Sequence, residues 1–251
     1  MAKRKIAYLL ATLLCLVSCT ATLPIPPPQK QIKETPPANF TYLDEFYFDP
    51  YPFVGSINDS QTGSLIGGGV LISPTLVLTA AHVSEARDDL MFIEHDGEER
   101  CVGRVIYHPE HVDGLLLHDI AILVLETASN EVPVDLINPA DDLIYKRMNL
   151  TIVGYGTGRK RYSNYGVFLY YGRLIGRPEF MIMLPINASL WFGDSGGAVL
   201  TLDNKLIGIM SYFSSTRNMK IFENGCASVE YYRDWIEEIK NERSMERMGK
   251  Q

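Results

Sequence analysis

A series of short apolar runs limits most strongly what this chain can fold into. Phe53–Ile57, Leu65–Ile72, Thr75–Thr79, Leu90–His95, Glu98–Tyr107 and Ile120–Leu125 are rich in β-branched and apolar residues, with turn signals at Asn58-Asp59, Ser73-Pro74 and Asp96-Gly97. None carries a helical apolar period, so the set suggests an antiparallel barrel. Asp96-Gly97 is the dipeptide that a two-residue type I′ hairpin turn prefers. The stretch 126–142, with Pro133 and Pro139, suits a crossover to a second set: Leu150–Tyr155, Gly166–Leu174, Phe180–Leu184, Ala198–Thr201, Leu206–Tyr212 and Ile221–Val229, with Asp203-Asn204 as a hairpin turn. The expected fold is all-β: two six-stranded antiparallel barrels, at about 52–126 and about 143–230, with a cleft between them. Tyr232, Trp235, Ile236 and Ile239 then fall at helical spacing, which predicts a short amphipathic C-terminal helix over about 231–244 and a tail over 245–251. Lys240 and Arg243 suit its negative end. A chain of 251 residues, 46% hydrophobic and 21% charged, can bury the cores this requires.

Within the second set, Gly193-Asp194-Ser195-Gly196-Gly197 is a glycine-flanked turn that presents one serine and runs into the apolar Ala198-Val199. A serine hydroxyl is a weak nucleophile near neutral pH and needs a base, together with donors for the oxyanion its attack creates. Glycine at 193 lets the N–H groups of Gly193 and Ser195 point into one small volume, and Gly196 and Gly197 permit close approach. A solvent-facing β-turn would carry the same residues, so the motif alone leaves both readings open. Two upstream stretches narrow them. Leu78-Thr79-Ala80-Ala81-His82 ends an apolar run in a histidine, and His118-Asp119 precedes another at Ile120–Leu123.

In the order His82, Asp119, Ser195 these segments resemble the trypsin/chymotrypsin-like serine proteases, as do Gly67-Gly68-Gly69-Val70-Leu71-Ile72 before the histidine and Gly154-Tyr155-Gly156 in the second half. The resemblance runs from about Pro52 to Ile236 and implies a protease domain over 40–244. It implies a serine endopeptidase acting on polypeptides without a cofactor: His82 as base, Asp119 as its orienting carboxylate, and Gly193 and Ser195 as oxyanion donors. Ser211 matches the family's serine that supports the buried aspartate. The competing class is a protease-like binding module without catalysis. It stays open because nothing here resembles the Ile-Val-Gly-Gly start whose freed amine pairs with the aspartate beside the serine in animal relatives, and Asp194 has no partner visible in the sequence. For specificity, the resemblance places Ser189 at the pocket floor, where Lys/Arg-specific members carry an aspartate. Met210 stands near the histidine of the glutamate-specific branch, and Phe192, Tyr212 and Phe213 stand at the walls and mouth. A shallow or medium apolar pocket for uncharged residues follows, unless a shift of one or two positions brings Glu223 into it.

The remaining features concern location and partners. Met1–Lys5 is cationic and Ile6–Val17 continuously apolar, the pattern of a secretory leader over 1–18. Leu16-Val17-Ser18-Cys19 resembles the bacterial lipobox, which implies acylation of Cys19 and a membrane anchor; ordinary cleavage after Ala21 would instead leave a periplasmic or secreted protein. Thr20 resembles outer-membrane sorting, and the proline-rich stretch 19–39 reads as a stalk. The aromatic run from Phe40 to Tyr51 is expected to pack on the domain. Net charge is −7 with no basic stripe, which argues against nucleic acid as a partner. Cys101 and Cys226, one in each half, are expected to be free thiols, and the absence of half-cystines near His82 points to a bacterial relative. Arg159-Lys160-Arg161 reads as a solvated loop, with an exosite for acidic substrates as the sharper alternative. His95, His108, His111 and His118 match no zinc spacing, and Pro109 breaks any helical face, so no metal site is expected.

Overall fold

The computed structural model describes residues 41–42, 49–87, 89–138, 145–171, 177–185, 190–215 and 221–249. The expected leader, Cys19, the expected stalk, and Ser189, expected at the pocket floor, lie outside them.

Two closed antiparallel barrels form the body. The first comprises β2 (Val54–Asp59), β3 (Leu65–Ser73), β4 (Leu76–Thr79), β5 (Leu90–Ile93), β6 (Glu99–Tyr107) and β7 (Ala121–Leu125), closed in the order β2-β3-β4-β7-β6-β5. The second comprises β8 (Asn149–Gly154), β9 (Arg161–Tyr171), β10 (Phe180–Pro185), β11 (Ala198–Leu200), β12 (Leu206–Ser215) and β13 (Ile221–Ser228), ordered β9-β10-β13-β12-β11-β8 and closed by a β8–β9 pairing. A two-residue strand, β1 (Thr41–Tyr42), adds to the edge of β9, so part of the aromatic run does meet the domain. Tyr51 is also buried, with its ring edge-on to Phe53 and Tyr162.

Burial follows from which strands face the other barrel. No position of β6 is fully buried, its residues being exposed or half-buried throughout. By contrast β4 and β7 are buried at every position, because β4 lies against β12 and the pair is covered on both faces. Those strands therefore read Leu-Val-Leu-Thr and Ala-Ile-Leu-Val-Leu, with no polar alternation.

Several local expectations change. Asp96-Gly97 closes a three-residue loop: Glu94 N–H reaches Glu98 O at 2.9 Å, Gly97 N–H reaches Glu94 O at 3.1 Å, and Gly97 takes φ +87°. A type I turn followed by a left-handed glycine replaces the type I′ turn. Thr201 to Lys205 repeats the arrangement with Asn204 at φ +63°. The strand expected from Gly166 begins at Arg161, and Lys160 and Arg161 are buried where a solvated loop was expected. Lys160 Nζ donates to Asp49 Oδ2 at 2.5 Å and to Tyr51 O at 2.6 Å, so a partner exists for the buried charge. Only Arg159 of that run is exposed, which removes the basis for a basic exosite. The C-terminal helix α2 (Val229–Met248) buries Tyr232 and Ile236.

Candidate active site

Strand register brings the site together. In the first barrel Thr79 of β4 pairs with Ala121 of β7, so the chain leaving β4 and the chain entering β7 lie side by side. His82, on the single helical turn α1 (Ala81–Ser84), and Asp119, two residues before β7, therefore meet. His82 Nδ1 lies 2.8 Å from Asp119 Oδ2, and the His82 backbone N–H donates to Oδ1 at 2.9 Å. The carboxylate is fully buried and takes a further hydrogen bond from Ser211 Oγ of β12. Three donors on one carboxylate leave it a single orientation. An ionised carboxylate can only accept, so His82 carries its proton on Nδ1 and offers Nε2 as the basic nitrogen.

The charges reinforce this. Burial alone would push the His82 pKa down, but the hydrogen bond and charge of Asp119, helped by the charge of Glu85, leave it above the ordinary histidine value. Burial raises the Asp119 pKa and is outweighed by the donated bonds and charge of His82 and the bond from Ser211, so the net shift is downward.

In the second barrel Ala198 of β11 pairs with Val153 of β8 and Ile209 of β12, which puts Gly154–Gly156, the Ser195 loop and Ser211 at one end of the sheet. Gly193 and Gly196 take φ +98° and +81°, values that exclude most side chains. At Gly196 a Cβ would also fall 2.1 Å from Gly68 O. The Ser195 carbonyl accepts Gly68 N–H at 2.7 Å, and a Cβ on Gly67 would lie 2.7 Å from that same oxygen. The glycine run of β3 is thus what lets the serine loop lie against the first barrel. Among the described residues, the N–H groups of Gly193 and Ser195 have no acceptor within the protein.

Asp194 holds this loop in shape. Its Oδ1 accepts Gly156 N–H at 2.6 Å, and its Oδ2 accepts Trp191 N–H at 2.8 Å and Arg161 Nη2 at 2.5 Å. Arg161 is fully buried and Asp194 2% exposed. Gly154-Tyr155-Gly156 now has a physical reason: a Cβ on Gly154 would lie 2.5 Å from Asp194 Oδ1, and one on Gly156 2.4 Å from Oδ2. Arg161 is the residue the sequence reading missed. The signal was available, since a buried aspartate without an amine to pair with requires a nearby cation, and Arg159-Lys160-Arg161 follows the glycine motif directly.

Around the expected pocket, Phe192 is 73% exposed, and Tyr212 is half-buried with its ring edge-on to Phe180. That ring covers Gly225, where a Cβ would meet it at 1.8 Å. Met210 is buried, with its methyl near Gly154 and Gly197. The side chains of Phe213 and Glu223 lie outside the described residues; their backbones pair with Asn224 and Ser214. Asn224 is fully buried and, among the described residues, neither atom of its side-chain amide has a partner, an uncommon state. Cys101 is an exposed free thiol and Cys226 a buried one whose pKa burial pushes up.

The trypsin family model matches residues 44–236. The chain belongs to the trypsin family. Solved structures of similar fold include neuropsin from mouse brain (22% identity, 76% of this chain and 95% of that one, TM-score 0.64) and the VesB protease of Vibrio cholerae (21% identity, 81% and 67%, TM-score 0.64). An inactive CLIP domain-containing serine protease, A28, of Anopheles gambiae is 31% identical over 45% of this chain and 35% of its own length. A periplasmic DegP-like serine endoprotease of Halomonas elongata is 22% identical over 82% and 42%. The chain thus spans less than half the length of the curated relatives it matches.

Contrary to the expectation from spacing, the loop 108–118 brings histidines and carboxylates into clusters. His108, Glu110 and His118 form one, and His111 joins Asp113 and Glu85 in another. A third, Glu94, Asp96 and Glu131, lies with His95 near Glu131. Spacing along the chain could not reveal the second and third in full, because Glu85 and Glu131 come from segments away from their partners.

Proposed function

We propose that the protein is a serine endopeptidase. His82 removes the Ser195 proton as Oγ attacks the scissile carbonyl and later gives a proton to the leaving amine, while Asp119 keeps Nδ1 protonated and stabilises the imidazolium. The N–H groups of Gly193 and Ser195 take the oxyanion. The observation that carries this reading is the Asp194–Arg161 pair, at 2.5 Å in the protein interior. It removes the objection that favoured a non-catalytic binding module, because the oxyanion loop has its counter-charge within the same domain. An arginine is always charged, so this device requires no newly freed amine. The loop is then competent without trimming of the chain.

The proposed substrates are polypeptides cut after small or medium uncharged residues. Tyr212 lies over Gly225 and so narrows the wall expected for the pocket, and buried Met210 offers nothing to an acidic side chain. Ser189 as floor, with Phe192 and Phe213 at the mouth, completes this reading. Export is supported by the leader pattern and by the periplasmic relative of Halomonas elongata, and anchoring through Cys19 by the lipobox-like Leu16–Cys19. A bacterial outer-membrane lipoprotein on a proline-rich stalk is the arrangement proposed, with neither nucleic acid nor cofactor involved.

A fluorophosphonate probe tests the chemistry. Covalent label on Ser195 in the parent and none in His82→Ala is expected; an unlabelled parent beside a labelled control protease would favour the binding module. A peptide library tests the pocket, and dominant cleavage after Lys or Arg would contradict it.

A further inference from the structure

His111 is held between two backbone carbonyls on one side of its ring and two carboxylates on the other. Its side chain is only 2% exposed, and its ring stacks on Tyr107 with centroids 5.5 Å apart. Nδ1 faces the carbonyls of Leu117 and His118 at 3.1 and 3.2 Å. Carbonyls only accept, so Nδ1 carries a hydrogen, and Nε2, which faces the carboxylates, is the nitrogen an ion would take. Nε2 is aimed at two carboxylates, Glu85 Oε1 at 2.9 Å and Asp113 Oδ1 at 3.6 Å. The other Glu85 oxygen is fixed by Gly114 N–H at 3.1 Å, and the three ligand atoms all lie within 4.8 Å of one another.

The spacing fits a metal ion. Ligands about 2.0–2.1 Å from an ion and 90–109° apart are separated by about 2.9–3.4 Å, close to the two separations found here. A ring N–H donated to backbone carbonyls is the outer support that metal-bound histidines have. The other two clusters lack these features. His108 and His118 stack 5.0 Å apart at 10°, so their lone pairs run alongside rather than converge, and Glu110 N–H points at His108 Nδ1 at 3.3 Å. In the all-carboxylate cluster the Arg100 guanidinium sits on Glu94 at 2.8 Å, so a permanent cation already occupies it.

We propose that Glu85, His111 and Asp113 bind one divalent first-row transition-metal ion of the Zn²⁺ class, with water in the remaining positions. One imidazole and two carboxylates suit such ions better than Ca²⁺ or Mg²⁺, which favour all-oxygen shells. The ion would tie the residue that follows α1, and so the His82 segment, to the loop that runs into Asp119. Binding is read without substrate, so the proposal stands apart from the peptidase reading.

The test uses the full chain after chelator treatment, titrated with Zn²⁺ by calorimetry and with Co²⁺ by visible absorption. One ion per chain is expected, and Zn²⁺ should raise the melting temperature. Asp113→Asn alters a side chain 89% exposed and leaves packing intact; it should weaken binding at least about 10-fold, as should Glu85→Gln. No saturable binding up to about 1 mM, or unchanged affinity in both variants with loss instead in Glu110→Gln or His82→Ala, would overturn the assignment.

Discussion

The first barrel brings His82 and Asp119 together through paired strands, whereas the second shapes its serine loop around a carboxylate that two backbone amides and a buried arginine hold. His82 and Asp119 leave strands joined in register at Thr79 and Ala121, and the carboxylate between them is held by three donors. Asp194 also accepts three hydrogen bonds, but one of them comes from a permanent cation, Arg161. The serine loop has two residues of left-handed glycine, and its shape depends on Asp194, whose only side-chain partner among the described residues is Arg161. Removing one partner of a buried pair leaves an uncompensated charge, a loss of about 3–5 kcal/mol. The lesson is that the two halves should respond differently to loss of a supporting donor: losing Ser211 beside Asp119 should cost little, whereas losing Arg161 beside Asp194 strands a buried charge.

The largest effect expected, apart from loss of the nucleophile, comes from Asp119→Asn. It keeps the shape but favours the wrong His82 tautomer, and kcat should fall about 10⁴-fold with the fold unchanged by circular dichroism. Next, Arg161→Met should lower kcat about 10²–10³-fold, the scale of lost oxyanion stabilisation, and destabilise the protein by about 3–5 kcal/mol in urea unfolding. Adding Asp194→Asn should recover most of that stability, since no charge is left buried, without recovering turnover. Additive effects of the two changes would break the contrast drawn above. Ser211→Ala should cost only about 10-fold in kcat, because Asp119 retains both His82 donors.

The smallest effects are in pH dependence. His82 must be neutral to act as base and its pKa is raised, so the acid limb of kcat/KM should lie above the ordinary histidine value of about 6.5. A rate flat between about pH 5 and 8 would exclude His82 as base. Lys160 contributes to stability rather than turnover. Burial pulls its pKa down to about 8, against the partial compensation of Asp49. Between about pH 8 and 10.5 the unfolded chain holds the extra proton, so this group makes the protein more stable as pH rises through that window. Lys160→Met should abolish the rise while leaving kcat near the parent value.

How far the sequence disclosed the molecule depends on the range of each interaction. The twelve barrel strands were legible because β-branched runs and turn residues act locally, and the motifs around His82, Asp119 and Ser195 were legible because they are contiguous. Hairpin loop size was misjudged at Asp96-Gly97, since the same dipeptide serves a two-residue or a three-residue loop and the register of β5 and β6 decides. Lys160 and Arg161 were misread because a basic run looks solvated until the carboxylates that cover it are known, and those lie at Asp49 and Asp194. The Glu85, His111 and Asp113 cluster was hidden for the same reason: 26 residues separate Glu85 from His111.

The central claim is that Arg161, and no freed amine, keeps the Ser195 loop competent. Active-site titration with a fluorophosphonate reads this directly, on chain with a blocked N-terminus and on Arg161→Met. Stoichiometric labelling of Ser195 in the blocked parent, with labelling slowed about 10²-fold or more in Arg161→Met, is the predicted result. Labelling that appears only after N-terminal cleavage, or that proceeds equally in Arg161→Met, would contradict it.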